Sequence, residues 1–364
     1  MRLRALLAAV MSCLNGLTAV PEHPQKIQAL FRLISRPHGG ILENAQEPLA
    51  IQTYDGSDQV VHPSVIDFLS EHTLPEWGGH RFWMAITPFP SGSDAFENPC
   101  LYASDDGRDW HAPPAIQNPI DAAPGGWDGG FHNDPEMVYD PESDEVRVYY
   151  RFASKGCLSL KLIRIGPDLR IRGPDAVVSH SPWTPADNTF RSPCIWRESA
   201  DRWHMWGGGG EDPPGIYHRF SEDGVCWGPP ERCTDPEGGD PFGVLGYANW
   251  HMACKPNYRE SRVEFLSYAR SLVSPGKGAI LYAECDMGAP NRIRTPIAGP
   301  VLLPSKRGWD DSNLYRCSFC ISDTGAGYFY RIWYSGASRG NVWKLGYTGG
   351  YLGTARRSKS VHAD

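Results

Sequence analysis

The chain has no long run of basic residues, and its formal charge is −7 over 364 residues. It therefore lacks the electrostatic footprint of a nucleic-acid binder. The tail "ARRSKS" (355–360) is too short to change this and reads as a solvated end, so residues 355–364 are set apart as a basic tail. An apolar run long enough to span a membrane is also missing. The best candidate, "MRLRALLAAVMSCLNGLTAV" (1–20), is broken by Asn15 and Gly16. With its basic start it resembles a signal peptide, but a packed amphipathic helix led by Arg2 and Arg4 is the preferred reading. Metal-type cysteine spacing is scarce. Ten cysteines are scattered through the chain, and Cys317 and Cys320 form one C-x-x-C without a second such pair or a nearby histidine cluster. These two sit in a strand-like run, where alternation sends them to opposite faces. Buried free thiols are expected, which favours a cytoplasmic or particle-associated protein over a secreted one. Phosphate-loop spacing is absent from the glycine-rich runs "WGGGGEDPPG" (206–215) and "PEGGDPFG" (236–243), which read as long rim loops.

Helical periodicity is rare too. Ile27, Leu30, Phe31 and Ile34 form one apolar stripe, which "RPHGG" (36–40) ends. Residues 1–45 are thus expected to be a helical extension that packs on a protein partner or on the outside of the main domain. From about residue 46 only strands and turns are expected. The 39 Gly and 32 Pro, 71 of 364 residues together, supply frequent turns, which favours many short strands.

Those strands come in groups that begin at 62, 134, 192, 250 and 315, at spacings of 72, 58, 58 and 65 residues. Each group holds three or four strands. "SDDGRDW" (104–110) and "SEDGVCW" (221–227) share the pattern S-x-D-G-x-x-W, a turn in which Asp-Gly reverses the chain and Trp packs back on the hairpin. Repeated antiparallel units predict an all-β, five-bladed β-propeller over 46–354. The segment "PLAIQTYD" (48–55) is expected to give the last blade its outer strand and close the ring.

The starts of the five inner strands read "HPSV", "NDPEMVY", "RSPCIW", "WHMACKP" and "YRCSF". This layout resembles the five-bladed propellers of glycoside hydrolase families 43, 32 and 130. The resemblance implies a carbohydrate ligand in a pocket on the propeller axis, and an Asp, an Asp and a Glu on blades one, two and three. Only the blade-two position, Asp134, matches; His62 and Arg191 stand at the other two. A pair of carboxyl groups is what glycoside cleavage needs, so the hydrolase or phosphorylase reading competes with a non-catalytic one, such as a structural or receptor-binding part of a phage virion.

Polar residues at strand starts face a shared channel. Asp134, His62, Asp187 and Asp311 are the candidate catalytic groups, with Glu97 and Asp310 as further nearby acids. Arg191, His251, Arg316 and Glu136 are candidates for binding substrate, and Trp127, Trp250 and Tyr315 offer flat faces for sugar rings, as Trp183 and Trp309 also do. Asp134 would stand at the strand's beginning, with Pro135 tolerated there. No cofactor is required. His62, His251 and Asp134 near one axis could hold a divalent cation, but a hydrogen-bonded histidine pair is preferred, and no metal ligand is assigned.

Overall fold

The computed structural model describes residues 41–210, 215–272 and 278–352. The helical stripe of residues 27–34, the first twenty residues and the basic tail lie outside them.

Among the described residues, seventeen strands form five antiparallel sheets. Blade I holds β1 (Val60–Asp67), β2 (Phe82–Pro88) and β3 (Cys100–Ser104); blade II holds β4 (Phe131–Asp140), β5 (Glu145–Ala153), β6 (Leu158–Ile165) and β7 (Ile171–His180). Blade III is β8 (Arg191–Ser199), β9 (Arg202–Gly209), β10 (Gly215–Ser221) and β11 (Glu231–Arg232). Blade IV is β12 (Tyr247–Asn257), β13 (Arg262–Ser271) and β14 (Gly278–Asp286), and blade V is β15 (Asn313–Asp323), β16 (Tyr328–Ala337) and β17 (Trp343–Tyr351). The inner strands β1, β4, β8, β12 and β15 touch in that order, and β15 returns to β1, so the ring is closed. This is a five-bladed propeller.

Period-two alternation builds the ring, because successive side chains of an inner strand enter different blade interfaces. On β4, Met137 and Tyr139 pack with Trp83 of blade I, while Val138 packs with Ile195 and Trp203 of blade III. On β12, Met252 and Cys254 face blade III and Ala253 faces blade V. Cys317 and Cys320 likewise enter two different clusters, and the nine described cysteines are all free, seven of them buried.

The repeated turn holds the same bonds twice. The Ser104 hydroxyl accepts from Gly107 N–H at 2.9 Å, and Asp106 Oδ1 accepts from Arg108 and Asp109 N–H at 2.7 and 2.9 Å. Ser221 and Asp223 do the same at 2.9, 2.7 and 2.7 Å. Each turn also docks on a neighbouring blade: Gly107 O accepts from the Trp333 indole, and Gly224 O from the Tyr149 hydroxyl.

Three expectations are corrected. Helices do occur beyond residue 45: α1 (Phe68–His72) joins β1 to β2, and its buried Phe68 stacks on Trp77 with centroids 5.6 Å apart. Segment 48–55 runs beside β17 but forms no strand; a single main-chain bond, Leu49 N–H to Leu345 O, ties it there, and Ile51 fills the interface between blades V and I. Finally, Gly207–Gly209 belong to β9 instead of a rim loop. Residues 188–190 cross so close to β9 that a Cβ on Gly209 would lie 1.6 Å from Asn188 O. Glycine is required there by contact, and no turn is involved.

Candidate active site

Every inner strand slips in register near its start. The breaks fall between Val61 and Ser64, Asn133 and Glu136, Arg191 and Cys194, Asn249 and His251, and Leu314 and Cys317. A bulge frees the inserted residues from the ladder and re-aims them. On the first three blades the freed pair is His62–Pro63, Asp134–Pro135 and Ser192–Pro193, and the residue before each proline has a positive φ of 60°, 55° and 47°. Left-handed backbone at a non-glycine costs roughly 1–2 kcal/mol, and such strain collects at functional sites. Pro135 is thus not at a strand's beginning: β4 starts at Phe131, and the proline is admitted because a bulge needs no ladder N–H. By the same criterion the blade-three counterpart of Asp134 is Ser192. Arg191 precedes it and still pairs with Gly208.

The bulges bring His62, Asp134, Ser192 and His251 together, all at most 2 % exposed. His62 Nε2 and His251 Nδ1 lie 3.3 and 3.4 Å from Asp134 Oδ1. Ser192 donates to the same carboxylate twice, from Oγ at 3.0 Å and from its N–H at 3.2 Å, and its hydroxyl also contacts His251 Nδ1. Tyr315 covers both imidazoles, with centroids 5.2 and 4.2 Å away. Behind His62, its Nδ1 bonds Thr87 Oγ1 at 2.9 Å and lies 3.5 Å from Glu97.

Burial is the largest influence on these groups. It brings His62 down to about 3 and His251 to about 4, against the pull of Asp134, so both are neutral imidazoles at neutral pH. Asp134 resists its burial, because the imidazole contacts and Arg316 hold its carboxyl well below the usual range. Glu97 is pushed the other way, its carboxyl raised well above the usual range by burial and then by Asp134.

The two histidines therefore do not pair with each other; each turns to Asp134. Their ligand atoms and a carboxylate oxygen all lie within 4.8 Å. Two further observations fit a divalent cation. His62 Nε2, the atom that faces Asp134, is buried without a hydrogen-bond partner. With its proton on Nδ1, toward Thr87 and Glu97, His62 would turn the lone pair of Nε2 to the cluster, which is the outer-shell pattern of a metal-ligating histidine. Three protein ligands would leave positions open for a reactant.

The other candidates are distributed as follows. Arg316 is fully buried, deeper along the axis, donating to Glu136 Oε2 at 2.6 Å, Pro135 O at 2.9 Å and Pro193 O at 3.2 Å; Glu136 also accepts from Ser64. This ion pair spans blades II, III and V. Asp187 caps the turn at Thr184 and faces His180, while Asp311 holds Arg339. Neither contacts the histidine cluster. Asp310 is occupied by Asn44, Ser305 and Tyr334. Trp250 is not a free sugar platform: Arg191 and Arg270 lie 3.9 and 3.3 Å from its centroid, and at those distances there is room for only one on each face. Trp309 is stacked on Tyr334. Trp127 is 45 % exposed, edge-on to Trp183 and tilted against Phe131. A cavity of about 230 Å³ lies at the opposite end of the axis, but its charged groups are paired, Lys255 with Glu71 and Arg197 with Glu142.

Ser192, Arg151 and Arg270 belong to the mouth and were not expected. For Ser192 the signal was available, since it is the residue before proline.

No family model matches the chain. An A type blood N-acetyl-α-D-galactosamine deacetylase from Flavonifractor plautii is 28 % identical over 326 residues, covering 76 % of this chain and 40 % of the relative. The chain therefore spans less than half of that protein's length. The crystal structure of an N-acetylgalactosamine deacetylase from F. plautii with blood group B trisaccharide matches with a TM-score of 0.66 at 22 % identity, over 86 % of this chain and 95 % of that one. A member of family GH130, a family of mannoside phosphorylases containing glycoside hydrolases, matches at 0.53 and 13 % identity, over 86 % and 95 %. The virion reading finds no support among these proteins, and the ring of blades together with these likenesses shows a five-bladed β-propeller similar to those of glycoside hydrolases.

Proposed function

We propose that this protein hydrolyses the N-acyl group of an amino sugar in a glycan, with the cluster of His62, Asp134 and His251 as its reactive centre. One observation carries the reading: the blade-one and blade-three positions, where glycosidase-like propellers present Asp and Glu, hold His62 and Ser192, and the residues that converge instead suit a cation. The deacetylase relative points to the same reaction class. In the net reaction a water oxygen bonds to the acyl carbon, the C–N bond breaks, and the nitrogen leaves as the amine after taking a proton.

His62, Asp134 and His251 would hold the cation, which would supply Lewis acidity toward the acyl oxygen and a more acidic water. Ser192 fixes the Asp134 carboxylate through two donated bonds. Thr87 and Glu97 orient His62, so Glu97 is a positioning residue. Tyr315 limits solvent access above the imidazoles. Trp127 offers an apolar face at the rim for a sugar ring.

The test is product analysis on N-acetylhexosamine glycans. Acetate and free amine should appear in equal amounts with no new reducing end, activity should fall on chelation, and divalent cation should restore it. New reducing ends or sugar phosphate without acetate would overturn the proposal in favour of a glycosidase or phosphorylase.

A further inference from the structure

Around the cluster stand three arginines with few partners. Arg151, on β5, is 7 % exposed; its Nε has no hydrogen-bond partner and its Nη1 reaches only Asn133 Oδ1, at 3.3 Å. Arg191 Nη1 is buried and unpartnered as well. Arg270 shares the Trp250 ring with Arg191. None of the three forms a salt bridge among the described residues. Asp134 is the acid that Arg151 and Arg191 both feel, and it already serves two histidines and Ser192; Glu97, the other acid beside Arg151, forms no salt bridge with it and faces His62 instead. Arg191 is so crowded by burial and by Arg151 that it falls to about 10. A buried guanidinium without a counter-charge is costly, and forked N–H groups match carboxylates and sulfates.

We infer that the mouth takes an acidic glycan, in which a carboxylate or sulfate ester next to the N-acylated sugar is bound by Arg151 and Arg191, with Arg270 at the entrance. This rests on the deacylase reading for the reaction, but not for the binding. Trp250 serves as the spacer that keeps Arg191 and Arg270 apart in fixed positions, which explains why an indole at the mouth has both faces covered.

The experiment measures binding by calorimetry, separately from acetate release. The probes are oligosaccharides of alternating N-acetylhexosamine and hexuronic acid, the same oligosaccharides with carboxyls reduced to alcohols, and 6-O-sulfated N-acetylhexosamine glycans with their unsulfated counterparts. At least one acidic form should bind at least ~10-fold tighter than its neutral counterpart, the usual scale for a charge-assisted hydrogen bond. Which pair shows the gain identifies the anion. The preference should shrink as salt rises, and Arg191→Gln should bring it to within about twofold of parity. Arg191→Lys should recover part of it. Equal binding of acidic and neutral forms, or no binding of any, overturns the inference. Acidic preference without acetate release from any probe would leave the inference standing and remove the deacylase reading.

Discussion

The buried pair of Arg316 and Glu136 allows a test that separates architecture from binding. Arg316 comes from blade V and reaches across the axis to Glu136 and Pro135 O on blade II and Pro193 O on blade III. Replacing it with Met keeps the length and removes the charge. Glu136 is then left buried with only Ser64 Oγ and the Ile195 N–H, the latter at 3.4 Å. Breaking a buried pair by removing one partner costs about 3–5 kcal/mol. At somewhat under ~2 °C per kcal/mol for a domain this large, Tm should fall by about 5–9 °C. Burial already raises the Glu136 carboxyl, and Arg316 opposes that rise. Without the arginine its folded-state pKa climbs further above the unfolded one, so the variant should lose more stability at pH 8 than at pH 5. Adding Glu136→Leu should return much of the loss, because an apolar replacement of both partners is nearly neutral. Calorimetry and urea unfolding at the two pH values read all of this. If Arg316→Met melts like the wild type while glycan binding collapses, Arg316 is a ligand-binding residue and the cross-axis role is wrong.

Three further outcomes are expected. Asp134→Asn keeps the shape of the cluster and should cost at least ~100-fold in turnover, read by acetate release. His62→Ala should lower the protein's divalent-cation content as measured by elemental mass spectrometry, whether or not a substrate is known. In blade III, His218 is buried against His204 at 2.9 Å, and burial brings it from 6.5 to about 3. Its contribution to stability is therefore present above pH 6.5 and lost as pH falls, by about 3 kcal/mol at pH 4, at 1.36 kcal/mol per unit; His218→Gln should flatten that acid limb in pH-dependent unfolding.

The ring was legible because five strand groups, turn chemistry and period-two alternation all agree, and three of the inner strands carry an X-Pro pair near their starts. His62, Asp134 and His251 followed from those starts. Blade III was misread by one residue, because Arg191 is the more conspicuous side chain while the constraint sits on Ser192, the residue bent ahead of Pro193. Arg151 and Arg270 were hidden for a different reason. They lie on second strands, opposite Asn133 and Ala248, so only the cross-strand pairing carries them to the mouth. Asp187 and Asp311 looked like spare acids, yet Asp187 is spent on capping its own turn, the commoner use of Asp there, and Asp311 on tying the Arg339 loop.

The five register breaks also set how this site can change. A side chain within a ladder is tied to its blade's packing, so altering it disturbs the interface on that side. A side chain freed by a bulge answers instead to the groups it meets on the axis, as Asp134 does to His62, Ser192 and His251. His62, Asp134 and Ser192 occupy interchangeable sockets whose backbone is already bent before the side chain is chosen. Swapping a carboxylate for an imidazole or a hydroxyl there alters the reaction the mouth can perform while leaving the sheets in register. On the deacylase reading proposed above, exchanges at these three bulges would be how one ring of blades comes to present imidazoles and a hydroxyl where other propellers present acids, with the ladder pairing on either side unchanged.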